Sequence, residues 1–478
     1  MLTAEQNEML TRVGPGTPAG ELLRRYWHPI AIASDISEEN PVKFVRILGE
    51  DLVLFRSKKG EIGLLEDRCS HRGASLSYGR VDERGIACAY HGWLYDTKGN
   101  CLEIPTEPLG SKFALTVKHT AYPVQKLAGL YWAYLGPQPA PAIPKYDVWA
   151  RTDGWHWLRA LPQLDCNWLQ AMENSVDTAH LHVLHQELVT DGFKVTSTTR
   201  GTIDNLVKYE MEEFAHGIIK RRYFRDGKIE EHPLLFPTVL RQANRTQIRV
   251  PIDDTHTYIV YVHFVLDSEE PRPANGEVPV HYREPFKNPV DARHPFTKFR
   301  LDEVDAQDFM AWETQGPILD RTRERLTGSD RGVVMYREML AREIKKVQQG
   351  VDPMNVFRDP NHAIIDTQVD KSLEVGKAPV GQACRGYRAR GDEHIEATRA
   401  QSFDQRDHGE HLADTCPVRP DQRARRTRNA RFAPPLGQSL RMLLAAGQPS
   451  RQQDAGHRRR HRGKAPIGAQ RPWQLFSH

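Results

Sequence analysis

The chain has 478 residues, of which 39% are hydrophobic, a size that suits two domains and exceeds what one ordinary core accommodates. No apolar run approaches the ~20 residues of a membrane span. The first residues show no basic region followed by an apolar one, so they do not indicate a secretory signal. The six cysteines are scattered, which does not suggest a disulfide framework, and we expect a cytoplasmic protein with reduced thiols.

The net charge of +4 averages two unlike parts of the chain. Residues 376–478 contain 20 Lys and Arg against nine Asp and Glu, so this tail carries +11 and the remainder −7. A mildly acidic body gives no reason to expect nucleic-acid binding. The tail has no sustained periodicity and no aromatic residues interleaved with its basic ones, which predicts a disordered basic tail. A nucleic-acid-binding tail and a change of reading frame are the alternatives.

The predicted elements of the first third are short and mostly extended. Residues 1–40 form an N-terminal segment with a turn at Gly14–Gly16 and a helix over 21–27. Runs rich in branched and aromatic residues, separated by turn residues, predict antiparallel strands within 42–65 and further strands at 86–95 and 129–135. A small all-β domain over 41–148 follows from them, and its Pro-rich end at 136–144 is typical of a linker or a covering loop.

The second predicted domain covers residues 149–372 and mixes both element types. A helical segment is predicted at about 166–186, strands over 206–265, and a long helical region at about 303–348. The chain as a whole is therefore expected to be α+β.

The first chemical motif is Cys69-Ser70-His71, followed after sixteen residues by Cys88-Ala89-Tyr90-His91. Each half places one thiol and one imidazole on a tight loop, and two such loops can converge from adjacent hairpins. In a Rieske centre two Cys hold one iron and two His hold the other, which raises the reduction potential above that of an all-Cys cluster. Structural zinc also takes two Cys and two His, but zinc fingers usually pair Cys with Cys and His with His in sequence. Cys101 and Cys166 lack such partners and are expected to be buried thiols.

The second motif runs from Glu173 to His185 and contains Asn174, Asp177 and His180 at intervals of three, which share one face of a helix. His185 lies five residues beyond His180, so a turn must distort or end for both rings to reach one metal. His182 points elsewhere and is not expected to be a ligand.

Two His and one carboxylate form the facial triad of non-haem Fe(II) oxygenases. Here the carboxylate must come from elsewhere in the chain. Candidates lie around a predicted helix, and they are Asp302, Glu303, Asp305, Asp308 and Glu313.

The two motifs, in this order and at this separation, resemble those of the catalytic subunits of Rieske non-haem iron oxygenases. Further matches are spread over about residues 1–370, and they lie at 2–7, 24–29, 250–256, 315–318 and 329–332. They resemble the phthalate dioxygenase branch, and within it most of all the phenoxybenzoate dioxygenases. The tail after about 375 departs from the pattern. The resemblance implies an N-terminal all-β Rieske [2Fe-2S] domain and a catalytic domain with an antiparallel sheet flanked by helices.

The resemblance also assigns the ligands of two metal centres. Those of one [2Fe-2S] cluster are Cys69, His71, Cys88 and His91. Those of one mononuclear Fe(II) are His180, His185 and Asp308, so Asp308 is preferred among the five carboxylates.

Two further residues receive catalytic roles by the same resemblance. Asp177 would join His180 of one subunit to His91 of a neighbour, which implies a homotrimer, and Asn174 would lie near the iron. An NADH-dependent flavin and iron–sulfur reductase would supply electrons to the cluster, which would pass them through His91 and Asp177 to the iron. Asp177 suits this relay because one carboxylate can hydrogen-bond two imidazoles and fix their tautomers.

The branch favours an aromatic carboxylate of the phthalate or phenoxybenzoate (carboxydiphenyl ether) kind, bound with O2 in an apolar pocket beside the iron. A carboxylate in such a pocket needs a cationic partner. Candidates are Arg200, Arg241, Arg245 and Arg249. Monooxygenation or O-demethylation uses the same metals and stays open, and a Rieske electron carrier without catalytic iron is the alternative from another class.

Overall fold

The structure, a computed structural model, describes residues 2–367 apart from 186, 191–192, 197–204, 288–298 and 302. For 187–190 and 193–196 it describes the backbone alone. Asp302, Arg200 and the predicted tail therefore lie outside the described residues. None of the helices within this part of the chain combines the length and the apolar character needed to cross a bilayer.

The N-terminal segment contains two short helices and one strand, α1 (Ala4–Thr11), α2 (Pro18–Leu23) and β1 (Trp27–Ile32). Thr17 caps α2 and Pro18 stands at its first position, so the helix begins earlier than predicted. The prediction of a helix over 21–27 is wrong at its end, because the chain is already extended at Trp27. There β1 pairs with a later strand.

Three antiparallel sheets follow along the chain, and the prediction of strands in this region is confirmed. One contains β2 (Val42–Ile47), β3 (Glu50–Arg56), β4 (Ile62–Glu66) and β9 (Ala121–Tyr122). The second is made of β5 (Arg80–Val81), β6 (Ile86–Ala87), β7 (Leu94–Tyr95) and β8 (Cys101–Glu103). In the third, β1 pairs with β11 (Leu130–Tyr134), which pairs with β10 (Val124–Leu127).

The remaining described residues form helices around one large sheet. The helices are α3 (Asp147–Ala150), α4 (Trp168–Val176), α5 (His180–Val183), α6 (Val304–Glu313) and α7 (Arg331–Gln348). The sheet has eight strands in the order β15-β16-β17-β18-β19-β20-β12-β21, antiparallel except for the last pair. Their bounds are β12 (Gly154–Ala160), β15 (Leu206–Phe214), β16 (Gly217–Phe224), β17 (Ile229–Leu235), β18 (Val239–Gln242), β19 (Arg245–Pro251), β20 (Thr257–Leu266) and β21 (Val280–Tyr282). A separate hairpin is formed by β13 (Glu187–Thr190) and β14 (Phe193–Thr196).

Both long helical predictions need correction, because each region is interrupted. The predicted helix over 166–186 is α4 and α5 with a break at Asp177. The predicted helix over 303–348 is α6 and α7, with an irregular stretch between them. Gly316 has a φ of 96° and precedes Pro317, and this pair prevents α6 from continuing.

Hydrophobic packing separates the surroundings of the two motifs. A small core that contains Cys69, Cys88, Trp93 and Tyr95 underlies the first motif. A second core packs α6 against β20, around Phe309 and Trp312. The largest core runs from α1 to α7 and includes β1, β11 and the face of α4 that carries Trp168 and Met172.

Candidate metal centres

The two halves of the first motif form loops of the same design. The Gly73 N–H donates to Cys69 O at 2.8 Å, and the Gly92 N–H donates to Cys88 O at 2.9 Å. Both glycines have left-handed φ angles, 71° and 74°, which only glycine adopts without strain. Each loop therefore turns back on its cysteine, and the histidine is carried at the tip.

The four side chains of this motif divide into an inner and an outer pair. Cys69 and Cys88 are buried, and every cysteine in the described part of the chain is free of disulfides. The rings of His71 and His91 lie with centroids 4.4 Å apart, with His71 exposed and His91 partly exposed. Two thiols below two imidazoles are the donor set of a cluster whose irons take unlike ligands.

Two aromatic residues support the loops. Trp93 stacks on His71 with centroids 4.7 Å apart and planes 3° from parallel, and it fixes the orientation of that ring. The Tyr95 hydroxyl makes a hydrogen bond with Cys69 Sγ at 3.2 Å. Sequence reasoning did not single out Tyr95, and only its place in the strand after the second loop could have suggested it.

The helix of the second motif ends at Asp177. Asp177 follows the last residue of α4 with extended angles, φ −81° and ψ 129°, and its Oδ1 accepts the Ala179 N–H at 2.8 Å. Such local side-chain bonds compete with helix continuation. Asp177 Oδ2 lies 3.2 Å from His180 Nδ1, so the residue that ends the helix also orients the first histidine.

The pKa of Asp177 reflects two opposing influences. Burial raises it, but the contacts with His180, the Ala179 N–H and the Lys220 charge outweigh burial and leave the pKa below its usual value. The carboxylate is therefore ionised at neutral pH and can accept hydrogen bonds from imidazole N–H groups.

His180, His185 and Asp308 come together, with their ligand atoms all within 4.8 Å of one another. Asp308 Oδ1 lies 3.1 Å from His185 Nε2 and 3.9 Å from His180 Nε2. Among the residues the structure describes, His185 Nε2 is buried and has no hydrogen-bond partner. A buried imidazole nitrogen without a hydrogen-bond partner, 3.1 Å from a carboxylate oxygen, has the placement expected of two ligand atoms of one metal ion.

Neighbouring side chains hold this set in place. Gln307 Oε1 accepts a hydrogen bond from His185 Nδ1 at 2.8 Å, which leaves Nε2 to face Asp308. The Asn174 Nδ2 lies 3.3 Å from both His180 Nε2 and Asp308 Oδ1, two of the three predicted metal ligands. Gln307 was missed, although it precedes Asp308 in the sequence.

The competing carboxylates have other partners. Asp305 pairs with Arg159 and accepts the Tyr261 hydroxyl at 2.9 Å. Glu313 pairs with Lys287, and Glu303 pairs with Arg283. His182 packs its ring near Phe224 and is not in the three-residue set.

A cavity adjoins the three residues, and its lining differs from the apolar pocket that was expected. Leu181, Leu240 and Val304 are its only aliphatic lining residues within the described chain. The reason is the alternation of β19, which turns Arg245, Gln247 and Arg249 to this side. Of the candidate arginines, Arg245 and Arg249 line the cavity, while Arg241 pairs with Asp147 elsewhere.

Comparison with known proteins decides the family. The Rieske [2Fe-2S] domain model matches residues 26–118, and the model described as LigXa C-terminal domain like matches residues 295–370. The chain is 38% identical to the 5,5'-dehydrodivanillate O-demethylase oxygenase subunit of Sphingobium sp. (strain NBRC 103272 / SYK-6), over 75% of this chain and 84% of that protein. This chain belongs to the Rieske non-haem iron oxygenases, as a catalytic subunit.

Two other relatives confirm the predicted branch of the family. The oxygenase is 33% identical to the phthalate 4,5-dioxygenase oxygenase subunit of Pseudomonas putida, over 73% of this chain and 88% of that protein. It is also 33% identical to the phenoxybenzoate dioxygenase subunit alpha of Ectopseudomonas oleovorans, over 74% of this chain and 89% of that protein. The O-demethylase shares more identity than either, so the relatives leave the type of reaction open.

A solved structure confirms the fold class. The terminal oxygenase of carbazole 1,9a-dioxygenase from Novosphingobium sp. KA1 has a TM-score of 0.50 at 20% identity, over 74% of this chain and 97% of that chain. The oxygenase thus has the α+β fold of an all-β Rieske domain followed by an antiparallel sheet with helices.

The match of the Rieske [2Fe-2S] domain model to residues 26–118, which include the whole first motif, favours a cluster over structural zinc.

Proposed function

We propose that this oxygenase inserts O2-derived oxygen into an aromatic carboxylate, using electrons from NADH delivered by a flavin and iron–sulfur reductase. The observation that carries the proposal is the convergence of His180, His185 and Asp308 in a chain that also has a Rieske domain. Two histidines and a carboxylate leave coordination positions open for O2. Two relatives are described as dioxygenases of phthalate and of phenoxybenzoate, which are aromatic carboxylates.

Each metal has its ligands among residues already described. Cys69 and Cys88 would hold one iron of the cluster, and His71 and His91 the other. The mononuclear Fe(II) would take His180, His185 and Asp308. When bound, the cluster supplies electrons and the ferrous ion activates O2.

The role of the protein is to hold the cluster and the iron and to let electrons pass between subunits. Asp177 keeps His180 in one tautomer, because its carboxylate faces Nδ1 and leaves Nε2 to the metal. About a quarter of the Asp177 side chain is exposed, so a neighbouring subunit can reach it. A homotrimer in which His91 of a neighbour meets Asp177 would bring a cluster close to each iron.

O-demethylation of an aromatic acid is the second candidate, and the 38% identity to an O-demethylase oxygenase subunit favours it. Both reactions use the same metals and the same residues. A Rieske electron carrier needs only the cluster domain. It gives no role to the triad between α5 and α6.

Product analysis with ¹⁸O2 tests the proposal directly. The purified oxygenase, its reductase and NADH would be given phthalate, phenoxybenzoates and methoxylated benzoates. Two labelled oxygens in a ring diol would support dioxygenation. An unlabelled phenol, with one O2-derived oxygen leaving in formaldehyde and the other in water, would support demethylation. A His185→Ala variant is the control for background oxidation. Absence of labelled product with every acid would contradict the proposal.

A further inference from the structure

The cavity beside the triad has walls of opposite chemical character. Its helical wall carries the residues proposed as metal ligands, His180 and His185 from the region of α5 and Asp308 from α6. Its sheet wall carries cationic side chains from β12, β16 and β19. A ligand between these walls would have one end near the metal and the other near positive charge.

Among the positively charged side chains that line the cavity, Arg249 has the fewest partners for its charge. Its residue is 1% exposed, and its Nε and Nη1 are buried with no hydrogen-bond partner among the residues the structure describes. Burial lowers the pKa of Arg249, while Asp308 and Asp305 oppose that shift without forming an ion pair with the guanidinium within the described part of the chain. An unpaired buried charge destabilises a protein, and an anionic ligand in the cavity would offset that cost.

Lys220 is a second such cation on the same wall. It is 3% exposed, and within the described part of the chain its Nζ donates only to the backbone oxygen of Asp177, at a long 3.4 Å. Burial, together with the charge of Arg222, lowers the pKa of Lys220 to about 7, while Asp177 and Asp308 oppose that shift. Lys220 and Arg249 both line the cavity, and the charge of Arg249 lowers the pKa of Lys220 further.

The other cations of the cavity are already engaged. Arg159 forms an ion pair with Asp305. Arg245 donates from Nε and Nη2 to Gln242 Oε1, at 3.3 and 3.1 Å. Arg249 and Lys220 are thus the lining cations that have neither an ion pair nor a side-chain hydrogen-bond partner among the described residues.

We propose that Arg249 and Lys220 form the subsite for the carboxylate of the substrate, so that this group is held at the sheet wall and the ring lies towards Asn174 and His180. This inference rests on the proposed function and adds the part of the cavity that selects an acid. The guanidinium can donate two parallel hydrogen bonds to one carboxylate, and the ammonium adds a third. Replacing the acid by its amide removes the charge but keeps the shape.

Binding without turnover tests the subsite. The full-length, metal-loaded oxygenase without reductase would be titrated by calorimetry with phthalate, 3-phenoxybenzoate and 3-methoxybenzoate, and with the amide of each acid. The variants are Arg249→Met and Lys220→Met. The control is Arg241→Met, which removes a buried arginine that pairs with Asp147 outside the cavity.

We expect Arg249→Met to weaken binding of the preferred acid on the order of 100-fold. Binding of the amide should not change, and without ligand the melting temperature should stay equal or rise. Lys220→Met should weaken binding of the acid by a smaller factor than Arg249→Met. Arg241→Met should lower the melting temperature and keep the affinity.

Three results would overturn the subsite. They are unchanged acid affinity in Arg249→Met, equal losses of acid and amide with a lower melting temperature, and a wild type that binds no acid better than its amide. Failure of the proposed function is a different result, because the acid would then bind but yield no labelled product with reductase and NADH.

Discussion

Replacing Gln307 by Leu should weaken Fe(II) binding although Gln307 is not itself proposed as a ligand. Its Oε1 accepts the hydrogen bond from His185 Nδ1 at 2.8 Å, and the His185 side chain is fully buried. Without that acceptor, Nδ1 is a buried donor with no partner, and the ring no longer has a fixed tautomer or orientation. Gln307 Nε2 also donates to Leu301 O at 3.2 Å, so the variant loses that hydrogen bond as well.

The expected loss follows from what that hydrogen bond does. Partners that orient a metal-bound His typically contribute 10–100-fold in metal affinity, which equals about 1.4–2.7 kcal/mol. The assay strips the mononuclear iron with a chelator, titrates Fe(II) without oxygen and counts iron above the two atoms of the cluster. Gln307→Leu should bind this third iron 10–100-fold more weakly than wild type.

Two companion variants separate orientation from general damage. Gln307→Glu keeps an acceptor for His185 Nδ1 and should retain most of the affinity. Gln315→Leu changes an exposed glutamine just beyond α6 and should have no effect. Wild-type affinity in Gln307→Leu would refute the orienting role, and so would equal losses in the Leu and Glu variants.

Further predictions concern stability, electron transfer and the cluster. Glu173 accepts hydrogen bonds from Arg321 and Arg337 in a buried network. Glu173→Gln should therefore lower the free energy of unfolding, measured in urea, by about 3–5 kcal/mol. The control Glu213→Gln, at an exposed ion pair with Arg342, should lower it by less than about 1 kcal/mol. Burial raises the pKa of Glu173, but the two arginines outweigh it and hold the pKa below its usual value. The ionised Glu173 therefore contributes its full stabilisation at pH values above its usual pKa, and this stabilisation is lost as the pH falls below that value. The difference in the free energy of unfolding between wild type and Glu173→Gln should accordingly become smaller in acid. Asp177→Ala should keep the visible spectrum of the cluster and nearly abolish turnover. Full activity in this variant would rule out electron transfer through Asp177. Tyr95→Phe removes the hydrogen bond to Cys69 Sγ and should make the reduction potential of the cluster more negative. The control Tyr122→Phe, which removes a hydrogen bond to Glu50, should leave that potential unchanged. Equal reduction potentials in wild type and Tyr95→Phe, measured by voltammetry, would contradict this role of Tyr95.

Much of the candidate site could be predicted because its information is local. Cys69 and His71 share one tight loop, as do Cys88 and His91, and Asp177 and His180 are three residues apart. Short spacings constrain side chains in any fold. Asp308 needed the resemblance, since five carboxylates stood near one helix and only tertiary contacts show which of them have other partners.

The rest depended on contacts between distant segments. The break at Asp177 comes from a side-chain bond to the Ala179 N–H, which competes with a helix that periodicity favours. The polar cavity was missed because Lys220 and Arg249 belong to different strands of the large sheet, and their common side follows from register. Gln307 is seen as an orienting group only when His185 lies against it.

Metal and sulfide analysis of the purified wild type and His185→Ala tests most directly whether one chain holds two kinds of iron centre. We predict about three irons and two acid-labile sulfides in the wild type, and about two irons with unchanged sulfide in the variant. Zinc in place of iron, or the same iron content in both proteins, would contradict the two-centre description.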